Sequence, residues 1–350
     1  MPSFDAAFDA ASAEAPECAA QEGNPLGAST VKVTPSTSYP PSRSRIAATV
    51  ESTPPLIASR TFWGISFTSF RHLCMFQPGH GSNANRRGDM KPAGPIDLCF
   101  FSGTGNTALA AARMAAEFDA LGISTNLRAI EDTDPATLYS SGTIGIACPA
   151  AAFTTHPLVW RFVKNLRPGD GRGAFLLVTM SAATFGLVGR MRSLIESRGY
   201  YPLGALKIRM PSNFMLKSED PRKSARVREA ALTKAASFAS RIAEGKTSWR
   251  RIRGLPDLVA AHLANDNPFE WMRRRFPLSV DPSVCTRCGI CALHCPTSNV
   301  RMNDLPGFGD RCEFCMRCQS VCPVNAIRLN GKRFLQYRAK AEPWQADIQQ

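Results

Sequence analysis

The 350-residue sequence contains no run of about eighteen uncharged apolar residues, so no membrane-spanning helix is expected. Its most apolar stretch, Thr61 to Phe76, is too short and is interrupted by Arg71. A cationic leader is also missing. The first twenty-two residues hold Asp5, Asp9, Glu14, Glu17 and Glu22 but no lysine or arginine, so a cytoplasmic location is expected by default. No Gly-x-x-x-x-Gly-Lys-Ser/Thr occurs, which excludes an NTPase phosphate loop. The formal charge of +14 has no focus: residues 1–89 are neutral, 90–243 carry +8, 244–283 carry +2 and 284–350 carry +4. Nucleic-acid binders concentrate positive charge in a stripe or motif, so nucleic acid is not an expected partner. A diffuse basic surface suits acidic protein partners better. Residues 1 to about 91 lack hydrophobic periodicity and are rich in Ala, Ser, Thr and Pro, as in Ser36-Thr-Ser-Tyr-Pro-Pro-Ser and Ser52-Thr-Pro-Pro. Such a composition cannot bury enough surface to offset chain entropy. A disordered tail is expected there, with Met90 as a candidate alternative start.

Cysteine is abundant, and its spacing is informative. Eight of the 12 cysteines lie between Cys285 and Cys322. Cys285, Cys288, Cys291 and Cys295-Pro296 form one C-x-x-C-x-x-C-x-x-x-C-P run, and Cys312, Cys315, Cys318 and Cys322-Pro323 form another. A shift of 27 residues maps the first run onto the second, and Val300 and Arg301 onto Ile327 and Arg328. Clustered C-x-x-C spacing in a reducing compartment indicates metal chemistry, not disulfides. Zinc sites pair two C-x-x-C units. Two runs of four ending in proline instead match the bacterial iron–sulfur pattern, whose fourth cysteine ligates the other cluster. Two 4Fe–4S clusters are predicted, one on Cys285, Cys288, Cys291 and Cys322, the other on Cys312, Cys315, Cys318 and Cys295.

Upstream, apolar runs alternate with helical patterns. Strands are expected at 95–101, 123–130, 143–148, 173–180 and 206–210, and helices at 108–120, 157–165, 187–198 and 220–244. Alternation of this kind predicts an α/β, doubly wound parallel sheet, and a ligand turn after the first strand fits the order 2-1-3-4-5. That turn is Ser102-Gly103-Thr104-Gly105-Asn106-Thr107. Its hydroxyls, amide and backbone N–H groups at a helix start suit a phosphate monoester. The stretch from Gly103 to Ala108 also fits Gly-x-Gly-x-x-Ala, with Glu131 near the place of a ribose-binding acid. A dinucleotide and an empty structural turn therefore stand beside FMN as readings.

Phe100-Phe-Ser-Gly-Thr-Gly-Asn-Thr107 resembles the flavodoxin phosphate motif. Followed by an eight-iron ferredoxin pattern, the chain resembles the bacterial and archaeal flavodoxin–ferredoxin fusion proteins over about residues 93–330. The resemblance implies a flavodoxin-like sheet and a small α+β ferredoxin-type domain. The implied organisation is a tail (1–91), an FMN-binding domain (92–244), a connector (245–280), a 2×4Fe–4S domain (281–332) and a polar C-terminal tail (333–350). It further implies two flavin-ring loops, Pro149-Ala150-Ala151-Ala152-Phe153 and Ser181-Ala182-Ala183-Thr184-Phe185-Gly186, with Met210-Pro-Ser-Asn213-Phe after the fifth strand also fitting the family pattern. Phe153 and Phe185 stand where related loops often carry Tyr, and Ala182 and Ala183 replace glycines. Cys99, Cys148 and Trp160 read as core. His156 reads as helix-start packing or a flavin hydrogen bond, and His294 as a surface residue or a tuner of the adjoining cluster. The implied function is electron transfer coupling a two-electron flavin to one-electron clusters, with redox protein partners. An oxidoreductase acting on a small molecule, a carrier without a substrate of its own, and a redox or oxygen sensor all remain compatible with it.

Overall fold

The computed structural model describes residues 91–138, 142–152, 154–182, 184, 186–249 and 267–339, all within one compact unit, His80–Gln350. The expected tail lies, except for Lys91, outside the described residues, as do Arg250, Arg251 and Arg253 of the connector and residues 340–350. Among the described residues no helix is long and apolar enough to cross a membrane.

Five parallel strands form the main sheet: β1 (Ile96–Phe100), β2 (Thr125–Ala129), β3 (Thr143–Pro149), β4 (Gly173–Met180) and β5 (Tyr201–Arg209). Their order is β2-β1-β3-β4-β5, the flavodoxin-like order expected. Four helices connect or close them: α1 (Asn106–Ala120), α2 (Pro157–Lys164), α3 (Leu187–Ser197) and α4 (Pro221–Ala243). β1 is buried throughout. Its Ile96, Leu98 and Phe100 pack into the core under α1 and α4, while Cys99 joins Phe101 in the core under α2 and α3. Helices on both faces explain why this strand reads as a continuous apolar run. Its one charge, Asp97, is 2% exposed and pairs with Arg128 Nε at 2.8 Å.

β5 begins at Tyr201, five residues before the expected start. It is an edge strand, where Pro202 removes no essential ladder bond. At Gly204 a Cβ would lie 2.8 Å from the Thr247 side chain, so the glycine allows close packing inside the strand. Proline and glycine together erase the alternating pattern that would have signalled the strand's first half.

The C-terminal domain contains two antiparallel pairs, β6 (Leu278–Val280) with β9 (Ile327–Leu329) and β7 (Val300–Met302) with β8 (Pro306–Phe308), plus the short helices α6 (Ile290–Leu293) and α7 (Arg317–Val321). The 27-residue repeat carries β7 onto β9 and α6 into α7. β6 pairs with β9, so this domain begins inside the segment expected to be connector.

The connector is anchored at both ends. Trp249 is buried and its Nε1–H donates to Val188 O at 3.1 Å. Helix α5 (Asn267–Arg275) buries Phe269 with Phe314, Met316, Leu329 and Phe334. The expected polar tail also differs at its start: Phe334, Tyr337 and Ala339 are all buried, because the chain folds back over the α/β domain instead of leaving it.

Candidate functional site

The chain leaves β1 and turns through Ser102–Thr107 into α1. Gly105 is the helix N-cap at φ 95°, a left-handed conformation that glycine adopts without a Cβ clash. Because the sheet is parallel, its loops converge at one edge. There Pro149–Ala152, Ser181 and Met210–Pro211 meet the turn and line a cleft of ≈ 290 Å³. The opposite wall comes from α5 and the C-terminal domain: Met272, Phe314, Cys315 and Met316.

Of the expected flavin-site residues, Ser102, Gly103, Thr104, Asn106, Thr107, Pro149, Ala150, Ala151, Ala152 and Ser181 line this cleft. Gly105 and Ala182 do not, and Gly186 is instead the left-handed N-cap of α3, at φ 68°. Phe153, Ala183 and Phe185 lie outside the described residues.

The polar side chains of the turn are held by neighbours. Ser102 Oγ accepts from Gly105 N–H at 3.2 Å, the Thr107 and Thr179 hydroxyls are 2.7 Å apart, and Asn213 Nδ2 donates to Thr104 Oγ1 at 2.6 Å. The first amides of an α-helix have no intrahelical acceptor. A fixed turn at the start of α1 therefore presents N–H groups to an anion, as a phosphate requires. The cleft volume is near the lower end, about 300 Å³, of small-molecule sites.

His156 also lines the cleft and is 3% exposed, between Phe101 and Phe269 with ring centroids 5.0 and 5.5 Å away. Its Nδ1 is 2.8 Å from the Glu313 carbonyl oxygen, which only accepts, so Nδ1 carries the proton. Burial lowers its pKa to about 4, and the imidazole is neutral at physiological pH.

The loop Cys312–Cys318 docks on this edge. At Gly103 a Cβ would lie 1.9 Å from the Cys315 carbonyl oxygen, so a glycine is required for the approach. Arg317, 4% exposed, donates to Ser102 O at 2.8 Å and to the Glu131 carboxylate. Burial pushes the Glu131 carboxyl above its ordinary value, and the Arg317 guanidinium opposes that shift. The acid considered for a dinucleotide ribose is thus committed to an ion pair. Glu313 accepts from Leu158 N–H in the first turn of α2 at 2.9 Å and from Arg161 at 2.6 Å. Ala152, Met215, Phe314 and Met316 all have positive φ, between 48° and 60°, and all belong to the apolar cluster at this junction. Phe314 and Met316 share their positive φ with their repeat mates Arg287 and Gly289, so that conformation belongs to the cysteine loop of both copies.

Glu313, Phe314, Met316 and Arg317 were missed as site residues, although the sequence held the signal. Under the 27-residue shift they replace Thr286, Arg287, Gly289 and Ile290. In the first copy Thr286 and Arg287 are exposed, whereas in the second Glu313, Phe314, Met316 and Arg317 are buried. The copies agree at the cysteines and differ where one of them meets the α/β domain.

The cysteines fall into two sets of four. Cys285, Cys288, Cys291 and Cys322 line one cavity, and Cys295, Cys312, Cys315 and Cys318 line another. This crossed grouping is the one that the spacing predicts. Backbone N–H groups reach the crossing sulfurs in matching fashion, Asn299 to Cys295 Sγ and Ala326 to Cys322 Sγ, both at 3.2 Å. Burial pushes the Cys291 and Cys315 thiols up to about 11 and about 12. Buried sulfurs of this kind become thiolates when a cationic core replaces their protons. Four cysteine sulfurs lining each cavity are the donor type that a thiolate-ligated cluster takes. By contrast, Cys99 and Cys148 are fully buried strand residues, as expected.

Residues 277–323 match the family model of the 4Fe–4S dicluster domain. No curated protein matches the chain. Among solved structures it is similar to the two-electron reduced flavodoxin of Megasphaera elsdenii, at 22% identity and a TM-score of 0.31, over 41% of this chain and 98% of that one. It is similar to oxidised flavodoxin 2 of Bacillus cereus, at 18% identity and a TM-score of 0.35, over 43% and 98%. It is also similar to the rubredoxin oxygen:oxidoreductase of Desulfovibrio gigas, at 12% identity and a TM-score of 0.31, over 43% and 37%. The strand order is that of a flavodoxin-like sheet, and the matched 4Fe–4S dicluster domain follows it in the chain.

Proposed function

We propose that the chain binds FMN and two 4Fe–4S clusters and passes electrons between them in a fixed spatial order. FMN supplies exchange between two-electron and one-electron steps, and the clusters supply single-electron transfer. Cys295, Cys312, Cys315 and Cys318 hold the cluster beside the flavin cleft, and Cys285, Cys288, Cys291 and Cys322 hold the distal one. The observation that carries this order is Cys315, which lines both the flavin cleft and the second cysteine cavity. The Ser102–Thr107 turn binds the phosphate. Ala150–Ala152, His156 and Ser181 flank the ring, and Phe314, Met316 and Met272 exclude water from it. His156 has its Nδ1 proton held by Glu313 O, which leaves Nε2 as a neutral acceptor.

A redox protein partner docks at the distal cluster, where Cys288 is exposed and Leu293 is 78% exposed. The cleft wall from the C-terminal domain covers the flavin. This favours internal transfer through the clusters over a carrier that presents a bare flavin edge. The second reading, an oxidoreductase with its own small-molecule substrate, is favoured only by the polar groups His156, Thr179 and Ser181 lining the cleft. Anaerobic purification with iron, sulfide and flavin analysis tests the proposal. It predicts about eight irons and one FMN per chain, whereas zinc without iron, or iron without flavin, would contradict it. Screening of small-molecule acceptors then separates the two readings.

A further inference from the structure

The segment after β9 returns across the molecule and makes contacts at two places. Gln336 Nε2 donates to the carbonyls of Gln319, Ser320 and Cys322 at 2.6, 3.1 and 2.6 Å. These carbonyls close the segment that carries Cys318 and Cys322, one ligand of each proposed cluster. One residue later the segment reaches the turn at the start of α1. Tyr337 Oη donates to Asn106 Oδ1 at 2.7 Å in a buried contact, while Asn106 Nδ2 donates to Pro211 O at 3.0 Å. Ala339 N–H donates to Thr104 O at 2.9 Å. Gly105 accommodates the contact: a Cβ there would lie 2.7 Å from Ala339 O. The Tyr337 hydroxyl also lies within electrostatic reach of Arg228 of α4, whose positive charge opposes the rise that burial gives the Tyr337 pKa. The Ser102–Thr107 turn has no lysine or arginine of its own, so Arg228 brings positive charge behind it.

We propose that residues 335–339 are a positioning strap for the phosphate end of the flavin site. Tyr337 fixes Asn106, Ala339 fixes the Thr104 peptide, and Gln336 ties both to the cluster-bearing segment. Arg228, through Tyr337, biases the turn toward a dianionic phosphate monoester. The strap therefore sets the preference for FMN over riboflavin and couples it to the ferredoxin-type domain. This rests on the FMN reading and goes beyond it, because the strap residues lie more than 200 positions from the turn they hold.

The test compares FMN and riboflavin dissociation constants of the full chain, purified anaerobically with its iron content verified. The variants are Tyr337→Phe, Arg228→Gln and Gln336→Ala. Losing one hydrogen bond to the site corresponds to about a threefold to tenfold effect. Tyr337→Phe and Arg228→Gln are expected to weaken FMN by about that factor and leave riboflavin unchanged. Gln336→Ala, which touches no turn residue, is expected to weaken FMN in the same direction with iron retained. Equal weakening of both ligands, or an unchanged FMN-to-riboflavin ratio in all three variants, overturns the strap. A wild-type chain that binds neither ligand overturns the FMN reading itself, and is told apart by the wild-type titration alone.

Discussion

Arg317 and Glu131 show how single side chains join the two halves of the molecule. Both are almost fully buried, at 5% and 7% side-chain exposure. Removing one member of such a pair leaves an uncompensated charge in a desolvated place, at a cost of about 3–5 kcal/mol. Glu131→Ala is expected to destabilise the protein by roughly that amount, and Glu131→Ala with Arg317→Met by clearly less, as read in a double-mutant cycle by chemical denaturation. His156 gives the pH dependence. Its folded pKa of about 4 lies below the ordinary 6.5, so as pH falls the unfolded chain binds the proton first. The stability is fully present above 6.5 and is lost as pH falls through that window toward 4, by about 3 kcal/mol. Denaturation midpoints measured between about pH 6.5 and 5 are expected to decline in the wild type and to decline less in His156→Gln. At this scale the sequence disclosed the cysteines and the phosphate turn, because their chemistry demands fixed spacing. It did not disclose Glu131, Glu313 or Arg317 as partners, since an ion pair between residues 186 positions apart leaves no periodic trace.

The β1–α1 turn and the Cys312–Cys318 loop are the elements on which the site depends. Gly103 and Gly105 read as glycines of a phosphate turn, yet in the fold each also admits a second backbone, that of Cys315 and of Ala339. Gly103→Ala is expected to force the docking loop away, at about 1–3 kcal/mol, the usual cost of overpacking. The sheet should persist by circular dichroism while flavin affinity falls. Glu313 joins its loop to α2 through the Leu158 amide and Arg161, whose side chain is 56% exposed and therefore screened. Glu313→Ala is expected to cost about 1–3 kcal/mol, mainly from the unsatisfied half-buried Leu158 amide, as measured by urea denaturation. The strands and helices of the α/β domain were legible because β1, β3 and β4 are buried on both faces and read as apolar runs. The first half of β5 was not, since Pro202 and Gly204 are tolerated there by its edge position and by Thr247. The C-terminal strap was not legible either, because its order comes from scattered anchors, Gln336 and Tyr337, and not from any local pattern.

At the scale of the whole molecule, a repeated cysteine domain is used asymmetrically. One copy of its loop faces solvent through Arg287 and Cys288, while in the other Glu313 and Arg317 dock on the α/β domain and Phe314 and Met316 line the cleft. On the proposed function, the consequence is a sequence of sites: surface, distal cluster, inner cluster, flavin. The most direct measurement of that order is the microwave-power saturation of the flavin radical signal in half-reduced protein, compared among the wild type, Cys318→Ser and Cys288→Ser. A paramagnet next to the flavin speeds the relaxation of its radical. Fast relaxation is expected in the wild type and in Cys288→Ser, which loses only the distal cluster, and slow relaxation in Cys318→Ser. Relaxation that is unaffected by Cys318→Ser, or that is lost with Cys288→Ser instead, would contradict that order.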